Sequence, residues 1–187
     1  MIVFLDLDGV CCDFVSAALQ RNGLDENDRA ELLARWPFGE WSIPKLIGKT
    51  DEEFWKPING DASFWRGLSQ YPWFGSLIRK CEDMSDGEVM FATSPSRCPF
   101  AYKGKAEWLI DRGIKSNDRA MFGSKKHLLA NANTVLVDDS DKNVSEFRDA
   151  GGKAILFPQV WNTNYEYIQD PMGYVRGELD KLKGGGS

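Results

Sequence analysis

The sequence predicts a layered α/β fold built on a parallel sheet, and three observations carry that prediction. Runs rich in Val, Ile, Leu and Phe recur at residues 2–7, 88–93, 134–137 and 153–157, with a weaker fifth run at 119–122. Segments with helical spacing separate them; in residues 73–84, Phe74, Leu77, Ile78 and Cys81 fall at i, i+3, i+4 and i+7, one face of a helix. Strands that alternate with helices form βαβ units, whose crossovers make neighbouring strands parallel.

Taken in order, the first run ends in Asp6-Leu7-Asp8-Gly9. Residues 16–72 then read as an insertion. Its part from about 37 to 72, with the Trp36 that precedes it, carries Pro37, Pro44, Pro57 and Pro72, several glycines, and the aromatic groups Trp41, Phe54-Trp55 and Phe64-Trp65. Prolines at that density break regular elements, so this stretch predicts a small cap folded over the sheet edge rather than a second domain. Helix 73–84 leads to the second strand, which ends in Thr93-Ser94-Pro95. Helix 101–112 follows, then the weak strand and the pair Lys125-Lys126, read as opening another helix. The strand at 134–137 runs into Asp138-Asp139-Ser140-Asp141, and helix 141–150 stops at Gly151-Gly152. Residues 165–183 suit either a helix packed on the sheet or a partner contact. Residues 1–183 thus form one domain, and Gly-Gly-Gly-Ser at 184–187 reads as an expression linker.

Composition removes several functions. A chain of 187 residues with 42% apolar content buries a substantial core and is not disordered. No run approaches the roughly 18 apolar residues of a membrane span, and the two aspartates in MIVFLDLDGV argue against a signal peptide. Twenty-eight acids against 23 bases give a net charge of −5, which supplies no general attraction for long nucleic acid. Cys11, Cys12, Cys81 and Cys98 have neither metal-ligand spacing nor a disulfide framework, so reduced thiols and a cytoplasmic setting are expected. His127 is the one histidine, so acid–base chemistry falls to carboxylates, lysines or tyrosines.

Ligands of open parallel sheets bind beyond the carboxyl ends of the strands. Three strands deliver Asp6, Asp8, Thr93, Ser94, Asp138 and Asp139 there, with a lysine nearby. Each motif alone has a structural explanation. Asp-x-Asp-Gly is a common turn, Thr-Ser-Pro and Asp138-Asp139 suit helix caps, and a lysine pair suits a solvated surface. Together they conflict electrostatically, since like charges about 4 Å apart cost on the order of 4 kcal/mol per pair at an effective dielectric near 20. A divalent cation relieves the conflict, and an all-oxygen donor set favours Mg²⁺ over Zn²⁺.

Asp6-x-Asp8-Gly9-Val10, Thr93-Ser94, a following lysine and Asp138-Asp139, in this order, resemble the motifs of haloacid dehalogenase-like phosphatases over residues 1–160. Within that superfamily the chain is most similar to the 5′(3′)-deoxyribonucleotidases. The similar features are Asp6-Leu-Asp-Gly-Val-Cys-Cys-Asp-Phe14, Phe54-Trp55, Thr93-Ser-Pro-Ser-Arg97 and Lys105-Ala-Glu-Trp108. The resemblance implies a Rossmann-like parallel sheet flanked by helices, with a small inserted cap.

It also implies a function. A Mg²⁺-dependent phosphomonoesterase would act on deoxyribonucleoside monophosphates through an aspartyl-phosphate. Asp6 would be the nucleophile and Asp8 the general acid and base, with Gly9 turning the chain so that Asp8 faces the leaving oxygen. Asp6, the Asp8 carbonyl and Asp139 would hold magnesium, with Asp138 supporting them or acting through water. Thr93 or Ser94 would bind a phosphate oxygen, helped by amides at the start of the next helix. Either Lys125 or Lys126 would complete the site; helical spacing separates them by about 100°, and Lys126, farther from the Phe122-Gly123-Ser124 turn, is the favoured one. Phe14, Phe54 and Trp55 would stack on a base, with Phe64 and Trp65 as further aromatic faces. Arg97 and Lys105 match substrate-contacting positions; without the match both read as exposed helix cations. The alternatives are a phosphatase of nucleic-acid 3′ ends or of a small metabolite, and a nucleotide-binding protein without catalysis. The expected partner is a small phosphomonoester, with no membrane, and a homodimer is left open.

Overall fold

The computed structural model describes residues 1–85, 87 and 89–184. In chain order its elements are β1 (Ile2–Leu5), α1 (Phe14–Arg21), α2 (Glu26–Ala34), α3 (Ile43–Leu46), α4 (Asp51–Asn59), α5 (Ala62–Arg66), α6 (Phe74–Ser85) and β2 (Val89–Thr93). There follow α7 (Pro99–Ile110), α8 (Ser116–Arg119), β3 (Ala120–Phe122), a 3₁₀ turn (Lys126–Leu129), β4 (Thr134–Asp138), α9 (Asp141–Asp149) and β5 (Lys153–Leu156). A second 3₁₀ turn (Tyr165–Tyr167) and α10 (Pro171–Gly184) complete the chain.

The five strands lie in the order β3-β2-β1-β4-β5, and every pairing is parallel. From β1 the chain builds outward through β2 and β3, then crosses back to build β4 and β5 on the other side. The order therefore reverses between β1 and β4, and a crevice opens at their carboxyl ends. Register brings their acids side by side: Leu5 pairs with Val137, and the Asp6 N–H donates to the Val137 carbonyl at 2.9 Å.

Alternation along the strands fills both faces of the sheet. Val3, Leu5, Val89, Phe91, Val135 and Val137 face the larger core, with Leu77 and Cys81 of α6 and Val175 and Leu179 of α10. Phe4, Ala92, Leu136 and Leu156 face the opposite side, closed by Val144 and Phe147 of α9. Each Val, Leu or Phe among them contributes about 1.5–3 kcal/mol of burial free energy. The segment 165–183 is thus largely a helix packed against α6 and β5.

The strands differ from the apolar runs at their ends. Asp6 and Leu7 have already left β1, because Leu7 begins a tight turn. Glu88, the first residue of the run 88–93, and residues 185–187 of the Gly-Gly-Gly-Ser segment lie outside the described residues; Gly184 closes α10. One expected element is corrected. The helix opened by Lys125-Lys126 is a single 3₁₀ turn, Lys126–Leu129, with Lys125 as its N-cap. No helix among the described residues is long and apolar enough to cross a membrane.

Candidate active site

The turn after β1 is made by one carbonyl. Leu7 O accepts the N–H groups of Val10, Cys11 and Cys12 at 3.4, 2.8 and 2.8 Å, which curls the backbone sharply and returns Asp8 to the cavity that Asp6 faces. Gly9 takes a left-handed φ of 73°. A side chain is excluded there twice over, since a Cβ would also lie 2.1 Å from Asp139 Oδ2. The two thiols of this turn, Cys11 and Cys12, are buried, and burial pushes both well above the ordinary thiol range, so they remain neutral. All four cysteines are free.

Asp6, Asp138 and Asp139 are buried, and each offers a carboxylate oxygen within 4.8 Å of the others. Lys126, itself buried, stands between two of them, with Nζ 2.9 Å from Asp6 Oδ1 and 2.5 Å from Asp138 Oδ2. Burial opposes its charge, but Asp6 and Asp138 together outweigh burial and hold its pKa above that of a free lysine. Lys125 is exposed and lies outside the cluster, so its place among the site residues is corrected; of the two lysines Lys126 is the buried one. Asp6 Oδ1 also accepts the Leu7 N–H at 2.7 Å, which leaves Oδ2 free of hydrogen bonds among the described residues.

Asp138 is occupied by the protein. Beyond Lys126 it accepts the Ser140 N–H at 2.9 Å and the Asn143 amide at 3.1 Å on both oxygens. Ser140, not Asp138 or Asp139, caps α9. Asp139 accepts the Trp161 indole N–H at 2.8 Å. Burial raises the pKa of Asp6 to about 7, with Asp138 and Asp8 adding to it and Lys126 and Lys105 opposing. Burial likewise raises Asp139 well above the carboxylate range, and Asp138 and Asp6 add to the shift. One ammonium among three carboxylates leaves the cluster short of positive charge. Carboxylate oxygens are hard donors, so these residues fit a hard divalent cation such as Mg²⁺.

A second ion pair lies beside the first. Lys105 Nζ sits 2.5 Å from Asp8 Oδ2 and 2.8 Å from Thr93 Oγ1, and 5.3 Å above the Trp65 ring. Lys105 is therefore not an exposed helix cation; it is 1% exposed, because α7 turns that face onto β2 and the insertion. Thr93 is fully buried and bound to Lys105, whereas Ser94 lines the cavity and donates to the Gly123 carbonyl at 3.2 Å. α7 begins at Pro99, too far along to supply the expected N-terminal amides beside Thr93 and Ser94. Arg97 is exposed and outside the cavity lining, since residues 94–98 form an open loop rather than the first turn of a helix.

The cavity next to these acids has a volume of about 550 Å³. Phe14, Phe54 and Trp55 line it, with Phe14 stacked on Trp55 at 5.8 Å between centroids. Trp65 lies behind Phe14 at 5.5 Å as buried core, and neither it nor Phe64 reaches the cavity. Trp36, Trp41, Asn143 and Trp161 also line it and were not singled out as site residues from the sequence. Trp161 follows a proline-containing loop with no periodicity, and only its proximity to Asp139 in space distinguishes it.

The sequence matches the family described as 5′ nucleotidase, deoxy (pyrimidine), cytosolic type C protein over residues 1–170. No curated protein matches the chain by sequence. Among solved structures it is similar to a haloacid dehalogenase-like family hydrolase from Xanthomonas campestris, at 15% identity over 98% of this chain and 93% of that one, with a TM-score of 0.55. It is also similar to a HAD family hydrolase from Deinococcus radiodurans R1 solved with bound phosphate and sodium. That match has 12% identity over 82% of this chain and 78% of that one, with a TM-score of 0.52. At these identities the likeness is one of fold.

Proposed function

Because the chain belongs to the family described as 5′ nucleotidase, deoxy (pyrimidine), cytosolic type C protein, we propose that it removes phosphate from deoxyribonucleoside monophosphates, with Asp6 as nucleophile and Mg²⁺ as cofactor. Membership makes it a phosphatase of the 5′-nucleotidase kind. The observation that carries the finer reading is the crowding of three buried carboxylates around one ammonium, beside a cavity walled by aromatic rings.

Asp6 Oδ2, the oxygen with no donor among the described residues, attacks phosphorus in line while Oδ1 is held by Leu7 N–H and Lys126. The phosphorus–oxygen bond to the nucleoside breaks, and the leaving alkoxide takes a proton from Asp8. Water then gives a proton back to Asp8 and attacks the phosphoryl group, releasing phosphate and restoring the Asp6 carboxylate. Lys105 holds Asp8 in place for both transfers. Ser94, on the cavity wall, binds a phosphate oxygen. Asp6, the Asp8 carbonyl and Asp139, with Asp138 behind, would hold Mg²⁺, which would supply positive charge to offset that of the phosphate dianion. The helical insertion, residues 16–72, serves as the cap of a single domain, and Phe14, Phe54 and Trp55 meet the base. This reading belongs in the cytosol, where four free cysteines stay reduced.

Release of inorganic phosphate across deoxyribonucleotides, ribonucleotides and sugar phosphates tests the reading. Deoxyribonucleoside monophosphates are expected to be cleaved fastest, with activity lost in chelator and restored by Mg²⁺. A preference for sugar phosphates would overturn the substrate, and full activity in excess chelator would overturn the metal.

A further inference from the structure

Trp161 belongs to no motif used so far, yet it touches both halves of the cavity. Its indole N–H donates to Asp139 Oδ2 at 2.8 Å, and no other described residue donates to that carboxylate. The next residue, Asn162, anchors the loop from below, its amide donating to the Asp139 and Phe157 carbonyls at 2.8 Å each. On the other side, the Trp161 ring packs against Trp36 at 5.8 Å and against Trp41 at 6.3 Å, both from the helical insertion. Gly9 closes the space beneath: a Cβ there would lie 2.1 Å from Asp139 Oδ2 and 3.2 Å from Trp161 Cζ2. Carboxylate and indole are therefore wedged together, with the insertion pressing on the indole's far face.

We infer that Trp161 is a positioning residue that fixes the rotamer of the Asp139 carboxylate and ties it to Trp36 and Trp41 of the insertion. The inference rests on the reading of Asp139 as a metal ligand and extends it. A buried carboxylate can rotate to present either oxygen; with Oδ2 committed to the indole, Oδ1 is the oxygen left for a ligand. A shift of residues 36–41 tilts the indole and so rotates that oxygen. Satisfying the indole is not in itself a requirement of this fold, because the Trp65 N–H is buried without a partner among the described residues.

Calorimetric titration of the full chain with Mg²⁺ alone tests this. Trp161→Phe removes the donor and keeps an aromatic ring; it is expected to bind Mg²⁺ about tenfold more weakly, with a modestly lower thermal midpoint without metal because the buried Asp139 loses its donor. Its turnover should fall at limiting Mg²⁺ and recover at saturating Mg²⁺, which a general packing defect would not do. Should Trp161→Phe fail to fold, Trp41→Ala serves, because that ring is half exposed; it is expected to weaken Mg²⁺ binding about threefold. Wild-type affinity in the variant tested would overturn the role of Trp161. Wild-type protein that takes up no Mg²⁺ would instead overturn the metal reading, and this role with it.

Discussion

Lys105 and Asp8, separated by 97 positions in the chain, meet with Nζ 2.5 Å from Oδ2. The lysine is fully buried while Asp8 keeps access to the cavity, so the pair has a protein side and a substrate side. Replacing Lys105 with Met retains much of the stem volume and removes the charge. Asp8 then loses its orienting partner and Thr93 its donor. Phosphate release is expected to fall by about a hundredfold or more, the scale of a misplaced acid–base group. Stability should fall by only about 1–3 kcal/mol, because the carboxylate left behind can be solvated from the cavity. Activity within tenfold of wild type would remove Lys105 from the mechanism.

The contact between α5 and α7 depends on Gly104. A Cβ at that position would lie 2.4 Å from the Ala62 carbonyl and 2.5 Å from Trp65 Cβ, both on a rigid helix. Gly104→Ala must therefore push α5 away from α7, one position from Lys105. It is expected to cost about 1–3 kcal/mol in denaturant unfolding, despite alanine's better helix propensity. A stabilised variant would show that the helices separate freely.

Much of this architecture is legible in the sequence because parallel strands buried on both faces read as continuous apolar runs. The rule that ligands sit at the carboxyl ends of such strands then directs attention to Asp6, Asp8, Asp138 and Asp139 without any contact information. What escapes is whatever depends on packing between distant segments. Lys105 lies on the face of α7 that meets α5, while the exposed face of the same helix carries Phe100, Tyr102 and Ile110, so no clean polar face marks which lysine points inward. The preference for Lys126 over Lys125 rests on α-helical angles, whereas the chain makes a 3₁₀ turn. Trp161 sits in an irregular loop, where period carries no signal.

The aromatic wall is open to a kinetic test. Trp55 lines the cavity and stacks on Phe14 without being fully buried, so Trp55→Ala should fold. Loss of a stacking face is worth about 1–3 kcal/mol per base. KM for a deoxyribonucleoside monophosphate is then expected to rise about tenfold, while the rate with a simple aryl phosphate changes little. An equal loss with both substrates would mean that Trp55 supports the fold and not the base.

The buried acids make a prediction about pH. Asp6 has an ordinary value of 3.8 and a folded value of about 7, and Asp139 is shifted in the same direction. A carboxyl raised on folding stabilises the native state while protonated; that contribution is complete below the unfolded value and is lost as pH climbs through the folded one. Metal-free protein should therefore lose on the order of a few kcal/mol from these groups between about pH 4 and pH 7. Asp6→Asn stays neutral throughout and can still accept from Leu7 and Lys126 through its carbonyl oxygen. In chelator its thermal midpoint is expected to exceed that of wild type at pH 7.5 and to converge on it near pH 4, while its phosphatase activity is absent at both. Mg²⁺ should reverse the order at pH 7.5, since only the wild-type cluster carries its full charge. A midpoint difference that stays constant across this range in chelator would mean that Asp6 is not forced toward its neutral form by its surroundings, and that the three carboxylates do not crowd one another as their spacing requires.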